Sequence, residues 1–245
     1  MADVICVNGL TKRFGDFVAV NNITFSVKEG EIFGFLGANG AGKTTAMRML
    51  CGLSFPSEGT GTVAGFDIAK QSEKIKKHIG YMSQKFSLYE DLTVMENIQL
   101  YAGIYGVEKE TMKRESTALL KKLDFENKKG TLVSSLPLGW KQKLAFSAAI
   151  FHHPKIVFLD EPTGGVDPAT RRQFWEMIYE TAANGITIFV TTHYMDEAEY
   201  CNRVSIMVDG KIEALNTPKN LKEQFHVDSM SKVFDQLARR AKRGE

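Results

Sequence analysis

The stretch Ile32-Phe33-Gly34-Phe35-Leu36-Gly37-Ala38-Asn39-Gly40-Ala41-Gly42-Lys43-Thr44-Thr45 decides the fold class. Ile32, Phe33, Phe35 and Leu36 read as a strand, and from Lys43 onward Ala46, Met47, Met49, Leu50 and Leu53 recur at helical spacing. The helix is predicted to stop in the stretch Ser54 to Gly61, which holds Pro56, Gly59 and Gly61. Between strand and helix, Gly37 to Thr44 fits the pattern GxxxxGK(S/T), in the one context where that pattern has a mechanism. Glycines let the backbone wrap round a polyphosphate while successive N–H groups and the helix N-terminus point at its oxygens. Lys43 adds a positive charge and the Thr44 hydroxyl can ligate Mg²⁺. A plain glycine turn is the competing explanation of the string.

Upstream, alternation at Val18, Val20, Ile23, Phe25 and Val27 predicts another strand, and Ile79 to Met82 a short one. From about Phe86 to Phe151 strand signals vanish. Apolar residues there recur at helical spacing, as in Val94, Ile98, Tyr101, Tyr105, then Leu119, Leu120, Leu123, then Leu144, Ala148, Phe151. Strand rhythm returns at Ile156 to Leu159, followed by a helix that Asp167 can cap and Pro168 can open. Ile186 to Thr191 is the next strand, and Val204 to Val208 and Lys211 to Leu215 flank the hairpin turn Asp209-Gly210. Strands alternating with helices predict an α/β fold with a parallel sheet covered on both faces. From about His226 the chain is predicted helical, ending in Arg239-Arg240-Ala241-Lys242-Arg243, either a solvated terminus or a contact for anionic lipid headgroups.

Of the 245 residues, 43% are hydrophobic and 24% charged, with 31 Lys+Arg against 29 Asp+Glu and a net charge of +2. That composition rules out a disordered chain, a collagen-like fibre and a disulfide scaffold, and nothing in it asks for nucleic acid. The three cysteines, Cys6, Cys51 and Cys201, are far apart and lack CxxC spacing, which fits a reducing compartment and no zinc site. No secretory pattern opens the chain, and its longest apolar runs fall far short of the roughly 18 residues that cross a bilayer. The expectation is a soluble chain whose membrane role, if any, comes through a partner.

Asp160 and Glu161 end the strand Ile156 to Leu159, where unpaired carboxylates are costly to desolvate, so a cation is expected beside them. Next to a phosphate loop that cation is Mg²⁺, held by Asp160, with Glu161 free to polarise the water that attacks the γ-phosphorus. An ordinary helix-capping acid pair is the alternative. His193 follows the strand Ile186 to Thr191 and should emerge at the same sheet edge as Gly37 and Asp160, as a donor to the γ-phosphate. Gln84, just past Ile79 to Met82, is a candidate metal ligand and γ-phosphate sensor. Phe14 offers either an aromatic face for an adenine ring or a core side chain.

The ordered set Phe14, Gly37 to Thr45, Gln84, Asp160-Glu161, Gly165-Val166-Asp167 and His193 resembles the nucleotide-binding subunit of ABC transporters over most of the chain. Glu161-Pro162-Thr163, Gly165-Val166-Asp167-Pro168, Arg171-Arg172 and Thr191 to Glu199 are most similar to ATP-binding subunits of ABC-2-type exporters, the multidrug efflux and resistance group. The resemblance implies a P-loop NTPase (RecA-like) core with a mixed β-sheet, residues 1–84 and 152–225, and an inserted α-helical subdomain, 85–151. Residues 226–245 form the basic helical tail. It also implies ATP and Mg²⁺ as ligands, a second nucleotide-binding domain in a homodimer or heterodimer, and an ABC-2-type transmembrane permease on whose cytoplasmic face the subunit sits. The aromatic-rich stretch Phe86, Tyr89, Tyr101, Tyr105 is where a permease loop would dock, unless those rings pack in the core.

One departure stands out. Where the family signature usually reads LSGGQ, this chain has Leu136-Pro137-Leu138-Gly139-Trp140. By resemblance, Leu136 and Gly139 would still help hold the nucleotide of the opposite subunit, but Pro137 offers neither hydroxyl nor N–H, and Leu138 adds bulk. Losing one charge-assisted donor to phosphate costs on the order of 1.5–3 kcal/mol, roughly a tenfold to hundredfold slowing. An ATP-gated clamp with little turnover is therefore the competing class, although Glu161 argues for hydrolysis. Asp167 either acts across the dimer or caps the following helix. A GTPase is unsupported, because Asn127-Lys128-Lys129-Gly130 lacks an Asp to read guanine.

Overall fold

A computed structural model of the chain describes residues 2–85 and 88–243, with side chains described as far as Arg240. Two long strands, β1 (Asp3–Phe14) and β2 (Phe17–Lys28), open it as an antiparallel hairpin, with Val7 opposite Phe25. β1 was not expected. Its polar Asp3, Asn8 and Gly9 interrupt the alternation, and irregular register between Val7 and Leu10 lets Val4, Ile5, Val7 and Leu10 all be buried.

The quoted stretch forms β3 (Ile32–Gly37) and α1 (Lys43–Leu50), so the helix ends before Leu53, at a turn through Gly52 with φ of 67°. β4 (Glu58–Val63) and β5 (Phe66–Asp67) complete a four-stranded sheet in the order β2-β1-β4-β5. The strand expected at Val18 to Val27 thus lies in this sheet and not beside β3. Next come α2 (Ser72–His78), β6 (Ile79–Met82), then α3 (Val94–Ile104), α4 (Lys109–Lys122) and α5 (Leu138–Ile150). α3 opens on a capping box, Thr93 with Glu96. β7 (Ile156–Asp160), α6 (Pro168–Ala183), β8 (Thr187–Thr192), β9 (Arg203–Val208), β10 (Lys211–Asn216), α7 (Pro218–Gln224) and α8 (Met230–Arg243) close the chain.

The second sheet has six strands in the order β10-β9-β3-β8-β7-β6, all parallel except the β9–β10 hairpin. Asp209 and Gly210 make that hairpin turn at φ of 44° and 79°. Period-two alternation divides the core between the sheet's faces. Phe33, Phe35, Phe158 and Phe189 pack with Phe25 against the antiparallel sheet and α1, with ring centroids 5.2–6.3 Å apart. Ile32, Leu36, Val157, Leu159, Ile188 and Val190 face the other cluster with residues of α3, α5, α6 and α8. Each fully buried Phe contributes about 1.5–3 kcal/mol. The parallel register pairs Asp160 with Thr191 and Leu36 with Thr192, so the loops leaving β3, β7 and β8 open at one edge. No helix among the described residues is long and apolar enough to cross a membrane.

Candidate active site

The loop after β3 turns on Gly40 and Gly42, whose φ values of 83° and 101° suit glycine alone. It delivers Lys43, 4% exposed, to the sheet edge. There the ammonium donates to the Gly37 and Ala38 carbonyls at 2.8 and 3.0 Å and lies 3.5 Å from Glu161 Oε1. Burial pulls the Lys43 pKa down, and the Glu161 carboxylate opposes that shift. Ala41, 5% exposed, turns its methyl into the core. Asn39, Gly40, Gly42, Lys43, Thr44 and Thr45 line a cleft of about 400 Å³.

Asp160, at the end of β7, accepts from Thr191 Oγ1 at 2.7 Å and from Thr44 Oγ1 at 3.3 Å. Burial raises its pKa, while the Thr191 hydrogen bond works the other way. Glu161 follows with φ of 49°, a conformation costly for a residue with a Cβ. Its N–H donates to the Thr191 carbonyl and hydroxyl oxygens, both at 3.1 Å. Two further groups converge on its carboxylate. Gln84 Nε2 donates to Oε2 at 3.0 Å, and His193 Nδ1 lies 3.0 Å from the same oxygen, out of line for a hydrogen bond. Glycine-loop amides, a buried Lys and two adjacent carboxylates at one sheet edge suit a polyphosphate and a divalent cation.

Residues 20–164, more than half of the chain, match the sequence profile of the ABC transporter family. The chain belongs to that family. It is similar to the "Probable multidrug ABC transporter ATP-binding protein YbhF" of Escherichia coli (strain K12), 45% identical over 239 residues that cover 96% of this chain and 41% of the relative. The chain therefore spans about two fifths of that relative's length. It is also 38% identical to "Nod factor export ATP-binding protein I" of Burkholderia orbicola (strain AU 1054), over 86% of this chain and 70% of the relative. Among solved structures, an "ATP binding subunit of ABC transporter" superposes with a TM-score of 0.86 at 27% identity, covering 96% of this chain and 99% of that one. The fold is that of the ABC ATPase cassettes.

Within this ABC ATPase cassette the remaining expected residues are spread out. Phe14 is 55% exposed, so it does not pack in the core; the Lys12 ammonium sits 5.2 Å from its ring centroid. Its hairpin partner Phe17, 66% exposed, lines the cleft with Ala19. Phe17 did not stand out in the sequence, and Thr191 did so only as the first residue of the run Thr191 to Glu199, with no role of its own, since an aromatic at a hairpin turn and a strand-end Thr carry no spacing signal. Leu136 and Gly139 do not line the cleft. Gly139 lies in the first turn of α5, where a Cβ on it would meet Thr170 Cγ2 at 2.5 Å, and Leu136 precedes the Pro137 that caps that helix. Trp140 stacks on Phe125 with ring centroids 4.8 Å apart, and the Lys128 ammonium lies over the Trp140 ring, 4.8 Å from its centroid. Asp167 caps α6, accepting from the Ala169 and Thr170 N–H groups at 3.0 Å. Of the aromatic stretch, Phe86 lies outside the described residues, Tyr89 is half exposed, Tyr101 packs against the core and Tyr105 stacks on His152 at 3.6 Å.

Proposed function

We propose that the chain binds ATP with Mg²⁺ in the Gly37–Thr45 loop and hydrolyses it. In this proposal it is one of two nucleotide-binding domains closing head to tail around two ATP molecules to drive an ABC-2-type export permease. The observation that carries the proposal is Glu161, held by Thr191 and approached by Lys43, Gln84 and His193 at the mouth of the phosphate loop. A carboxylate so placed serves as general base toward water, and His193 beside it serves as a donor to the departing phosphate. The main-chain amides of Asn39 to Thr44 and the Lys43 ammonium bind the phosphates and orient the chain of reacting atoms. Thr44, Asp160 and Gln84 are hard oxygen ligands of the kind Mg²⁺ takes together with phosphate oxygens, and the buried Asp160 beside the Thr44 hydroxyl fits that ion. Bound there, Mg²⁺ would neutralise charge developing on the transferred phosphoryl group.

The multidrug and Nod factor export names of the relatives support an exporter. A division into a core of 1–84 and 152–225, a helical lobe of 85–151 and a tail from 226 is consistent with α3, α4 and α5 intervening between β6 and β7. A groove of about 560 Å³ lined by Cys51, Leu53, Tyr81, Ile104 and Tyr105 supports docking of a permease loop between these lobes. One observation favours the clamp as a second reading: Pro137 caps α5 without a side-chain hydrogen bond, and Leu138 is 42% exposed beside it.

Phosphate release and ATP binding by the purified chain, alone and with its membrane subunit, test both. The expected result is turnover that Glu161→Gln slows by about a hundredfold or more while ATP still binds. Lys43→Ala is expected to weaken ATP binding about tenfold to a hundredfold. A rate equal to that of Glu161→Gln in both settings establishes the clamp, and unchanged affinity in Lys43→Ala removes the phosphate-loop assignment altogether.

A further inference from the structure

Glu161 and His193 lie on separate loops, after β7 and after β8, yet their side chains meet at 3.0 Å. A third carboxylate ties those loops together. Glu197, in the short 3-10 turn Met195–Tyr200, is 0% exposed. Its Oε1 accepts a hydrogen bond from the hydroxyl of Thr163, which is itself 1% exposed. Arg171 Nε, on α6, lies 3.6 Å from the same oxygen. The Arg171 guanidinium also covers the ring of Tyr194, 4.4 Å from its centroid, and reaches Asp196 Oδ2 at 3.5 Å.

These contacts bear on the site from both sides. Thr163 belongs to the tight turn in which the Gly164 N–H donates to the Glu161 carbonyl at 3.2 Å, so anchoring its hydroxyl restrains the backbone that holds Glu161 at φ of 49°. Tyr194 follows His193, and their ring centroids are 4.2 Å apart. A carboxylate without access to water is expensive to bury unless paired, and a residue needed only for packing would do better as Leu or Met.

We infer that Glu197 is a positioning residue of the proposed hydrolysis site: with Thr163 and Arg171 it clamps the loops after β7 and β8 so that Glu161 and His193 keep their mutual approach. The role of the clamp in turnover rests on the hydrolysis proposed above; its effect on His193 does not. Glu197 touches neither the cleft nor the phosphate loop, so its removal should act on turnover and leave ATP affinity alone.

The test compares Thr163→Val, Thr163→Ser and Glu197→Gln with the unmodified chain. Three quantities are read: the ATP Kd, kcat for phosphate release, and the imidazole NMR signals of His193, assigned by their loss in His193→Gln. Thr163→Val should shift the His193 signals and lower kcat about tenfold with Kd within about twofold, because small misplacements of reacting groups act on rate. Thr163→Ser, which keeps the hydroxyl, should restore both, and Glu197→Gln should resemble Thr163→Val in direction. If Glu197→Gln does not fold, the Thr163 pair decides alone. His193 signals equal in Thr163→Val and the unmodified chain overturn the clamp, as does a serine variant as impaired as the valine one, or a loss of affinity in step with kcat. A chain that releases no phosphate, but whose His193 signals still separate valine from serine, refutes the hydrolytic function and still supports the tie that Glu197 and Thr163 make between the two loops.

Discussion

Gly42 closes the phosphate loop at φ of 101°, and a Cβ there would lie 2.3 Å from the Ala19 carbonyl oxygen. Gly40, at φ of 83°, has nothing within 4 Å of such a Cβ. Two glycines of one motif thus serve different needs, close approach plus backbone freedom at Gly42 and backbone freedom alone at Gly40. Gly42→Ala is expected to lower stability by about 1–3 kcal/mol and to weaken ATP binding, with Gly40→Ala milder on both counts, as thermal unfolding and nucleotide titration would measure. Equal effects of the two substitutions would contradict this assignment. Lys43, Asp160, Glu161 and His193 were legible in the sequence because each follows a recognisable strand, and strands in a parallel sheet end at one edge. Phe17 was not, and Thr191 and Glu197 were visible only as members of the run Thr191 to Glu199, without their roles, because those roles lie in what faces them across loops distant in the chain.

At the scale of elements, α5 and α6 carry the variant signature and the turn after Glu161. Phe146 on α5, 0% exposed, meets Phe174 on α6 edge-on at 5.3 Å, and Gln142 Nε2 donates to the Gly164 carbonyl at 3.4 Å. Phe146→Ala is expected to cost about 3–5 kcal/mol, read from urea unfolding, since removing a fully buried ring loses its transfer free energy and leaves a cavity. The helical spacing of Leu144, Ala148 and Phe151 announced α5, and Asp167-Pro168 announced the start of α6. The capping role of Asp167 is seen directly in its two 3.0 Å hydrogen bonds. β1 escaped because its register irregularities break the period on which strand recognition depends, and only pairing with β2 and β4 restores its buried face.

At the scale of the molecule, His152 joins elements far apart in the chain. Its ring stacks on Tyr105 at the end of α3, and Nε2 lies 3.1 Å from the Ile79 carbonyl at the start of β6. Burial pushes its pKa down from 6.5 to about 4, the Ile79 hydrogen bond opposing. Between those two values the unfolded chain takes up a proton that the folded chain refuses, so stability falls as pH drops through this window and levels below it. After allowance for its partial exposure, the loss is about 1–2 kcal/mol between pH 7 and 4. Denaturant unfolding of the chain and of His152→Gln across that range should show the smaller pH slope in the variant. The local order of strand, glycine loop and helix, and with it the polyphosphate chemistry, was determined by the sequence alone, because loop dihedrals and periodicity are set by neighbours along the chain. Which strands form a separate antiparallel sheet, which aromatic reaches the cleft, and how Thr163, Arg171 and Glu197 gather between two loops were decided only by tertiary structure. Those outcomes depend on pairing and burial between residues that no local pattern relates.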